Sequence, residues 1–203
     1  MSREKLNKIL RIVCRRFDEN RVPVAVIGAM ALTAYGMPRF TADIDLLTHD
    51  KHRVDALRIL KELGYNCFQE ADSFAQFDSE MGVYGKIDLL FVATPEGERI
   101  LERRTIAPDF MMGDYPVVQP DDYIILKLMA IANNPDRALG DAADILTVLK
   151  FSRAGQITNV FQPIDRSRIM TFADRFGMTT RMESLFRQAE KDSIEDESGG
   201  FRI

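Results

Sequence analysis

The feature that most constrains this chain is an acid–apolar–acid triplet that follows a glycine-ended apolar segment. The segment Val24–Ile27 predicts a short strand ending at Gly28, and the triplet Asp43-Ile44-Asp45 predicts the start of a second strand. Because side chains alternate across a strand, Asp43 and Asp45 are expected on one face and Ile44 in the core. Two carboxylates on one face repel each other unless a proton or a cation lies between them.

A hard divalent cation with oxygen ligands, Mg²⁺ or Mn²⁺, satisfies such a pair at neutral pH. Gly28 lies where the strand gives way to a helix, and backbone N–H groups at a helix start favour phosphate. Metal and phosphate together suggest a nucleotide. The alternative is a surface strand that carries alternating acids and binds nothing.

Two further charged residues lie inside apolar segments. Asp88 is the only acid in the predicted strand Tyr84–Val92, so it needs a cation, a hydrogen-bond network or a cleft, unless it faces water at the strand end. Lys127 lies within an apolar helix and needs a phosphate or a carboxylate, unless its side chain reaches solvent. Asp141 is the nearest carboxylate in sequence, although it could also pair with Arg137, one turn earlier.

Composition sets wider limits. The formal net charge of -4 over 203 residues argues against unspecific nucleic-acid binding. The first helix still has a basic face, which is either solvated or a contact surface for RNA. Cys14 and Cys67 are far apart and predict free thiols in a reducing compartment. Since no apolar run could span a bilayer and the N-terminus is not a signal sequence, we expect a cytoplasmic protein.

The predicted elements divide the chain into two parts. Residues 1–118 alternate helices and strands, whereas residues 119–203 are helical throughout. The pattern predicts an α+β fold, with a mixed sheet flanked by helices and a C-terminal helical bundle packed on that core. The predicted segments of the first part are a helix with core positions Leu6 to Phe17, strands at Val24–Ile27, Asp43–Leu47, Tyr65–Gln69, Phe74–Phe77 and Tyr84–Val92, a helix from Asp50 to Leu63, and another from Pro95 to about Arg104.

An apolar strand ending in Gly28, the Asp43 and Asp45 strand, and a later strand with Asp88 together resemble the nucleotidyltransferase (DNA polymerase β-like) superfamily. Residues 20 to 150 carry the resemblance. More narrowly, AYGMPRFTADIDLL and QPDDYIILKLMAIANNPDRALGDAADILTVL are similar to its abortive-infection, toxin–antitoxin-associated branch. That branch has an Arg-x-Thr before the acid pair, here Arg39 and Thr41.

The resemblance implies site residues, a reaction and partners. It implies metal ligation by Asp43, Asp45 and Asp88, and catalytic roles for those three acids together with Lys127 and Asp141. The residues that it implies for nucleotide binding are Gly28, Ala29, Arg39, Thr41 and Lys127. Arg39 would clamp the triphosphate or fix the loop.

One position departs from the family pattern, because Ala29 stands where Gly or Ser is usual and supplies no hydroxyl to a triphosphate. Three hypotheses follow. The first is a nucleotidyltransferase that uses Mg²⁺ and moves a nucleoside monophosphate from an NTP such as ATP to RNA, tRNA, a protein or a small molecule, with an antitoxin as a candidate partner. The second is a catalytically silent binding protein, and the third is a sensor that holds an NTP without transferring it.

Overall fold

A computed structural model describes residues 3–37, 39–79, 82, 84–108 and 114–198, and the chain falls into two compact units, Met1–Gln119 and Pro120–Ile203. The first unit is a seven-stranded mixed sheet with helices, and the second is helical. The elements of the first unit are α1 (Arg3–Glu19), β1 (Val24–Val26), α2 (Gly28–Ala34), β2 (Ile44–His49), α3 (Arg53–Glu62), β3 (Tyr65–Glu70), β4 (Phe74–Ser79), β5 (Lys86–Val92), α4 (Pro95–Glu102), β6 (Thr105–Ala107) and β7 (Tyr115–Val117).

The order of strands across the sheet is β3-β4-β5-β2-β1-β7-β6. The pairs β2–β5 and β1–β7 run parallel, and the other neighbouring strands run antiparallel. β1 and β2 are therefore central strands. Central strands are buried on both faces in much of their length, which explains the short, strongly apolar sequence of β1.

Helix α1 packs against α3, β1 and β7. Its apolar residues recur at helical spacing, so one stripe of the helix is buried and the charged residues remain outside. The predicted core positions Leu6, Ile9, Leu10, Val13 and Phe17 are buried, and Cys14 is buried with them. Short ion pairs between neighbouring turns, such as Lys8 with Glu4 at 2.7 Å, occupy the exposed side.

Several local boundaries differ from the sequence prediction: β2 begins at Ile44 rather than Asp43, and β5 begins at Lys86 rather than Tyr84. Asp50–His52 forms a 3₁₀ turn, in which the His49 side chain accepts a hydrogen bond from the Lys51 backbone N–H, and α3 begins only at Arg53. The short strand β6 was not predicted. A three-residue strand has too few residues to show alternation, and its pairing with β7 decides its conformation.

Among its described residues, the second unit contains four α-helices and a 3₁₀ turn at Pro135–Arg137. The helices are α5 (Pro120–Asn133), α6 (Ala138–Arg153), α7 (Arg166–Arg175) and α8 (Thr179–Ser198). Their mutual contacts are α5 with α6 and α7, and α8 with α6 and α7. No helix in the described part of the chain is long and apolar enough to cross a membrane.

Candidate functional site

Two of the acids singled out in the sequence, Asp45 and Asp88, lie where β2 and β5 run side by side. Asp45 and Asp88 are directly paired in the parallel register of these strands, so their side chains share one face of the sheet. Ile44 and Ile87, one residue earlier in each strand, are fully buried on the opposite face. The pairing of Asp45 with Asp88 is a tertiary feature, because 43 positions separate them in sequence.

Gly28 closes one side of this acidic face. Its backbone lies in the left-handed region (φ +61°), and the Asp45 carboxylate lies against its α-carbon so that a β-carbon there would overlap it. The Ile27 N–H also donates to the Asp45 carbonyl at 3.0 Å. The glycine is therefore required twice, by its backbone angle and by the close approach of Asp45.

Asp43 lies one residue before β2, and a threonine holds its backbone. The Thr41 hydroxyl lies 3.2 Å from both the backbone N–H and the carbonyl of Asp43, so it accepts a hydrogen bond from one and can donate to the other. Thr41, which the resemblance assigns to nucleotide binding, therefore also orients Asp43, and its nucleotide contact stays a prediction. Arg39, two residues earlier, is exposed.

Asp88 has a second partner that the sequence did not reveal. Gln76 lies opposite it in the antiparallel register of β4 and β5, and its amide Nε2 donates to Asp88 Oδ1 at 3.1 Å. Burial raises the pKa of Asp88, the negative charge of Asp43 raises it further, and the hydrogen bond from Gln76 opposes both; the net pKa lies above its ordinary value. The alternation of β4 marks Gln76 as facing away from the core, but only the register places it beside Asp88.

The donors on this face suit a hard cation in chemical type. Asp43, Asp45 and Asp88 supply carboxylate oxygens, and two of them are register neighbours. Within the described ranges, however, no three His, Cys, Asp or Glu side chains lie close enough together to form a metal-ligand set.

In the helical unit, Lys127 is held by two carboxylates. Its Nζ lies 2.6 Å from Asp141 Oδ1 and 2.8 Å from Asp144 Oδ2. Arg137 Nε also donates to Asp141, at 3.0 Å, and the Tyr123 hydroxyl reaches Asp144 Oδ2 at 3.4 Å. The Lys127 side chain is only 16% exposed, so it pairs with carboxylates within its unit rather than extending into solvent. Asp141 therefore pairs with both of the partners considered from the sequence, Lys127 and Arg137.

The pKa of Asp141 reflects this network. Burial alone raises it, but the hydrogen bonds from Arg137 and Lys127 and their positive charges outweigh burial, so the net pKa lies below its ordinary value. Asp144 was not among the residues predicted to form the site. Its spacing of three residues from Asp141 places both on one helix face and could have indicated the pairing.

Comparison with solved structures identifies the fold. The chain is similar to ANT(2″)-Ia solved in complex with adenylyl-2″-tobramycin, with 12% identity and a TM-score of 0.57 over 84% of this chain and 95% of that one. The solution structure of the antibiotic-resistance factor ANT(2″)-Ia matches with 13% identity and a TM-score of 0.50 over 96% and 97% of the two chains. An antigenic nucleotidyltransferase-like protein from Paracoccidioides brasiliensis matches with 15% identity and a TM-score of 0.54 over 92% and 94%.

No protein-family model matches the chain, and comparison with curated proteins finds no significant match. The sequence identities to the solved structures are low, so the likeness concerns architecture. The predicted mixed sheet with flanking helices and further C-terminal helices is confirmed. The chain has the nucleotidyltransferase fold.

Proposed function

We propose that this protein is a nucleotidyltransferase that transfers a nucleoside monophosphate from an NTP to a hydroxyl acceptor. The observation that carries the proposal is the pairing of Asp45 with Asp88 on one sheet face, closed by the glycine that Asp45 contacts. A polar, acidic face built on two central strands is rigid, and it supplies the oxygen donors that phosphoryl-transfer chemistry requires.

Each residue has a role in this proposal. Asp43 and Asp45 would hold Mg²⁺ or Mn²⁺, and Asp88 would either help to hold a second ion or accept the proton of the acceptor hydroxyl. The raised pKa of Asp88 suits proton acceptance, because a base is most effective when its pKa approaches the working pH. The bound metal would neutralise charge on the triphosphate and on the leaving pyrophosphate. Gln76 keeps Asp88 oriented through Oδ1.

The reaction that follows is an in-line displacement at the α-phosphorus. The acceptor oxygen forms a bond to phosphorus, the bond to the β-phosphate oxygen breaks, and pyrophosphate leaves with the electron pair. Gly28 and Ala29 offer backbone N–H groups at the first positions of α2, where such groups lack intrahelical partners. Arg39 and Lys127 are proposed to hold phosphates, and Asp141, with Asp144, to hold Lys127.

The acceptor class is proposed on two grounds. Similarity of the segments around Asp43 and Lys127 to the toxin–antitoxin-associated branch supports an RNA or tRNA end as acceptor, and with it a toxin role and an antitoxin partner. The fold likeness to ANT(2″)-Ia, solved with an adenylylated aminoglycoside, supports a small-molecule hydroxyl and ATP as donor. A reducing, cytoplasmic location suits the two free thiols, Cys14 and Cys67.

In the first test, each NTP is titrated with Mg²⁺ into the wild type and into Asp45→Asn, and binding is measured by calorimetry. Metal-dependent binding that disappears in Asp45→Asn supports the assigned face. The matched control is Asp55→Asn, which neutralises an exposed carboxylate on α3 that pairs with Arg58 at 3.1 Å; this variant should bind as the wild type does. Equal loss in both variants would contradict the assignment.

Ala29 favours a second candidate, a catalytically silent member of the fold that acts by binding a partner. The reason is that alanine has no side-chain hydroxyl with which to contact a triphosphate. Absence of NTP binding by the wild type at about millimolar nucleotide would favour this candidate. A site with micromolar affinity, about 8 kcal/mol of binding free energy, would be saturated at that concentration. Binding without pyrophosphate release over a panel of RNA and small-molecule acceptors would favour the nucleotide sensor instead.

A further inference from the structure

The first unit carries a second recess, separate from the acidic face. A cleft of about 680 Å³ lies beside α1 and is bounded by the segment before β1 and by β6 and β7. Val24 lines this cleft and pairs with Thr48 at the far end of β2, whereas Gly28 and Asp45 lie at the opposite end of the same two strands. The cleft therefore lies at the other end of these two strands from the acidic face.

The lining of the cleft is positively charged. Among the described residues that form it are Arg11, Arg15, Arg21 and Arg104, against the two carboxylates of Asp18 and Asp114. The chain as a whole has a formal net charge of -4, so this cluster is a local reversal of sign. A cleft whose lining is net positive attracts anionic ligands.

Arg21 is held at a position where glycine is the usual residue. It has a left-handed backbone (φ 57°) at the end of α1, where its N–H donates to the Asp18 carbonyl and the Val22 N–H donates to the Phe17 carbonyl. These two hydrogen bonds form a Schellman motif, in which glycine avoids the steric cost of a side chain. An arginine here carries that cost, is exposed and lines the cleft, which indicates a use for the side chain.

The cleft also has apolar walls. Ile12 on α1 and Ile106 on β6 line it, and they are 56% and 55% exposed. The aromatic residue among its described lining residues, Tyr115, is buried, so no exposed ring is offered for stacking of nucleobases. Aliphatic anchors beside arginines fit a peptide better than a nucleic-acid backbone.

We propose that this cleft binds an acidic segment of a partner protein, with an aliphatic side chain seated between Ile12 and Ile106 and carboxylates paired with Arg11, Arg21 and Arg104. Arg15 already contacts Glu19 on its own helix, at 2.9 Å, and contributes charge rather than a fixed contact. Charge complementarity favours a partner segment with acidic side chains. The two exposed isoleucines favour a segment that also has an aliphatic side chain.

The test uses the full chain and a fluorescein-labelled peptide of alternating glutamate and leucine. Binding of the peptide is measured by fluorescence anisotropy at low and high salt. We expect saturable binding that weakens with salt. Peptides with glutamine for glutamate, or serine for leucine, should bind at least about fivefold more weakly, since loss of one charged or apolar contact has that effect.

Arg21→Gly is the decisive variant, because glycine suits the left-handed position and keeps the end of α1 intact. Its melting temperature should equal or exceed that of the wild type, while its affinity for the peptide falls about fivefold or more. The matched control is Arg16→Ala on the same helix, which lies outside the cleft and should bind normally. Unchanged affinity in Arg21→Gly, absence of peptide binding, or tighter binding of oligouridylate RNA than of the peptide would overturn the proposal.

Discussion

The Asp45 carboxylate occupies the space in which a β-carbon at position 28 would lie, so Gly28 and Asp45 fix each other's place in the site. The contact joins the end of β1 to the start of β2, and the hydrogen bond from Ile27 to the Asp45 carbonyl reinforces it. A side chain at position 28 would displace the carboxylate on which the proposed metal site depends.

Gly28→Ala should therefore be more costly than left-handed strain alone explains. Alanine in that backbone region costs roughly 1–2 kcal/mol, and overlap with Asp45 adds about 1–3 kcal/mol. The measurement is the free energy of unfolding in urea, together with metal-dependent NTP binding, which should be lost. Gly64→Ala is the matched control, because Gly64 also has a positive φ (+83°) but no neighbour within 4 Å of the added β-carbon. Equal destabilisation of the two variants would contradict the close-contact interpretation.

Asp88 should respond in opposite directions to two neighbouring substitutions. Gln76→Ala removes a hydrogen bond that lowers the pKa of Asp88, so that pKa should rise. Asp43→Asn removes a negative charge that raises it, so the pKa should fall. Carboxyl-carbon NMR titration of the metal-free protein measures both shifts. Shifts of the same sign in both variants would show that the arrangement around Asp88 is not the one described.

Removal of Lys127 should strongly destabilise the helical unit. Lys127→Met leaves the carboxylates of Asp141 and Asp144, which are 6% and 12% exposed, without their shared cation. Breaking a buried ion pair from one side costs about 3–5 kcal/mol. Thermal and urea unfolding measure the loss. Lys8→Met, which removes a cation from an exposed pair on α1, should change stability little; a similar effect in both variants would contradict the prediction.

Protonation of Asp141 at acid pH should lower the free energy of unfolding. Its folded-state pKa lies below the unfolded value of about 3.9, so the group contributes stability that is fully present above that value. The contribution is lost as the pH falls through the lowered folded pKa, where the folded state must also take up the proton. The free energy of unfolding measured from neutral pH to below pH ~4 should therefore fall less steeply in Asp141→Asn than in the wild type. A parallel decline in the two proteins would contradict the assigned shift.

Local pattern was sufficient for several elements of the fold. The stripe from Leu6 to Phe17 predicted the buried face of α1, and the apolar segment ended by Gly28 predicted β1 and its junction with α2. The alternation around Asp45 placed Ile44 in the core. These features follow from periodicity and backbone preference, which act over a few residues and are written in the sequence.

Other features depend on how distant segments meet. The sequence contained Asp88 and Gln76 but could not place them against each other, because strand register is set by the hydrogen-bond ladder and by burial of the opposite face. The predicted nucleotide contact of Thr41 and the metal roles of the three acids remain predictions.

The sequence by itself determined which residues carry charge in apolar surroundings, since burying such a group demands a partner wherever the chain folds. For the same local reasons it determined the glycine junction and the longer helices and strands, but not the three-residue strand β6. Only the tertiary structure decided which groups pair: Asp88 with Gln76, and Lys127 with Asp144. It also brought together the residues that line the arginine cleft beside α1. The physical reason is that packing and strand pairing choose among many partners that local propensity leaves equivalent.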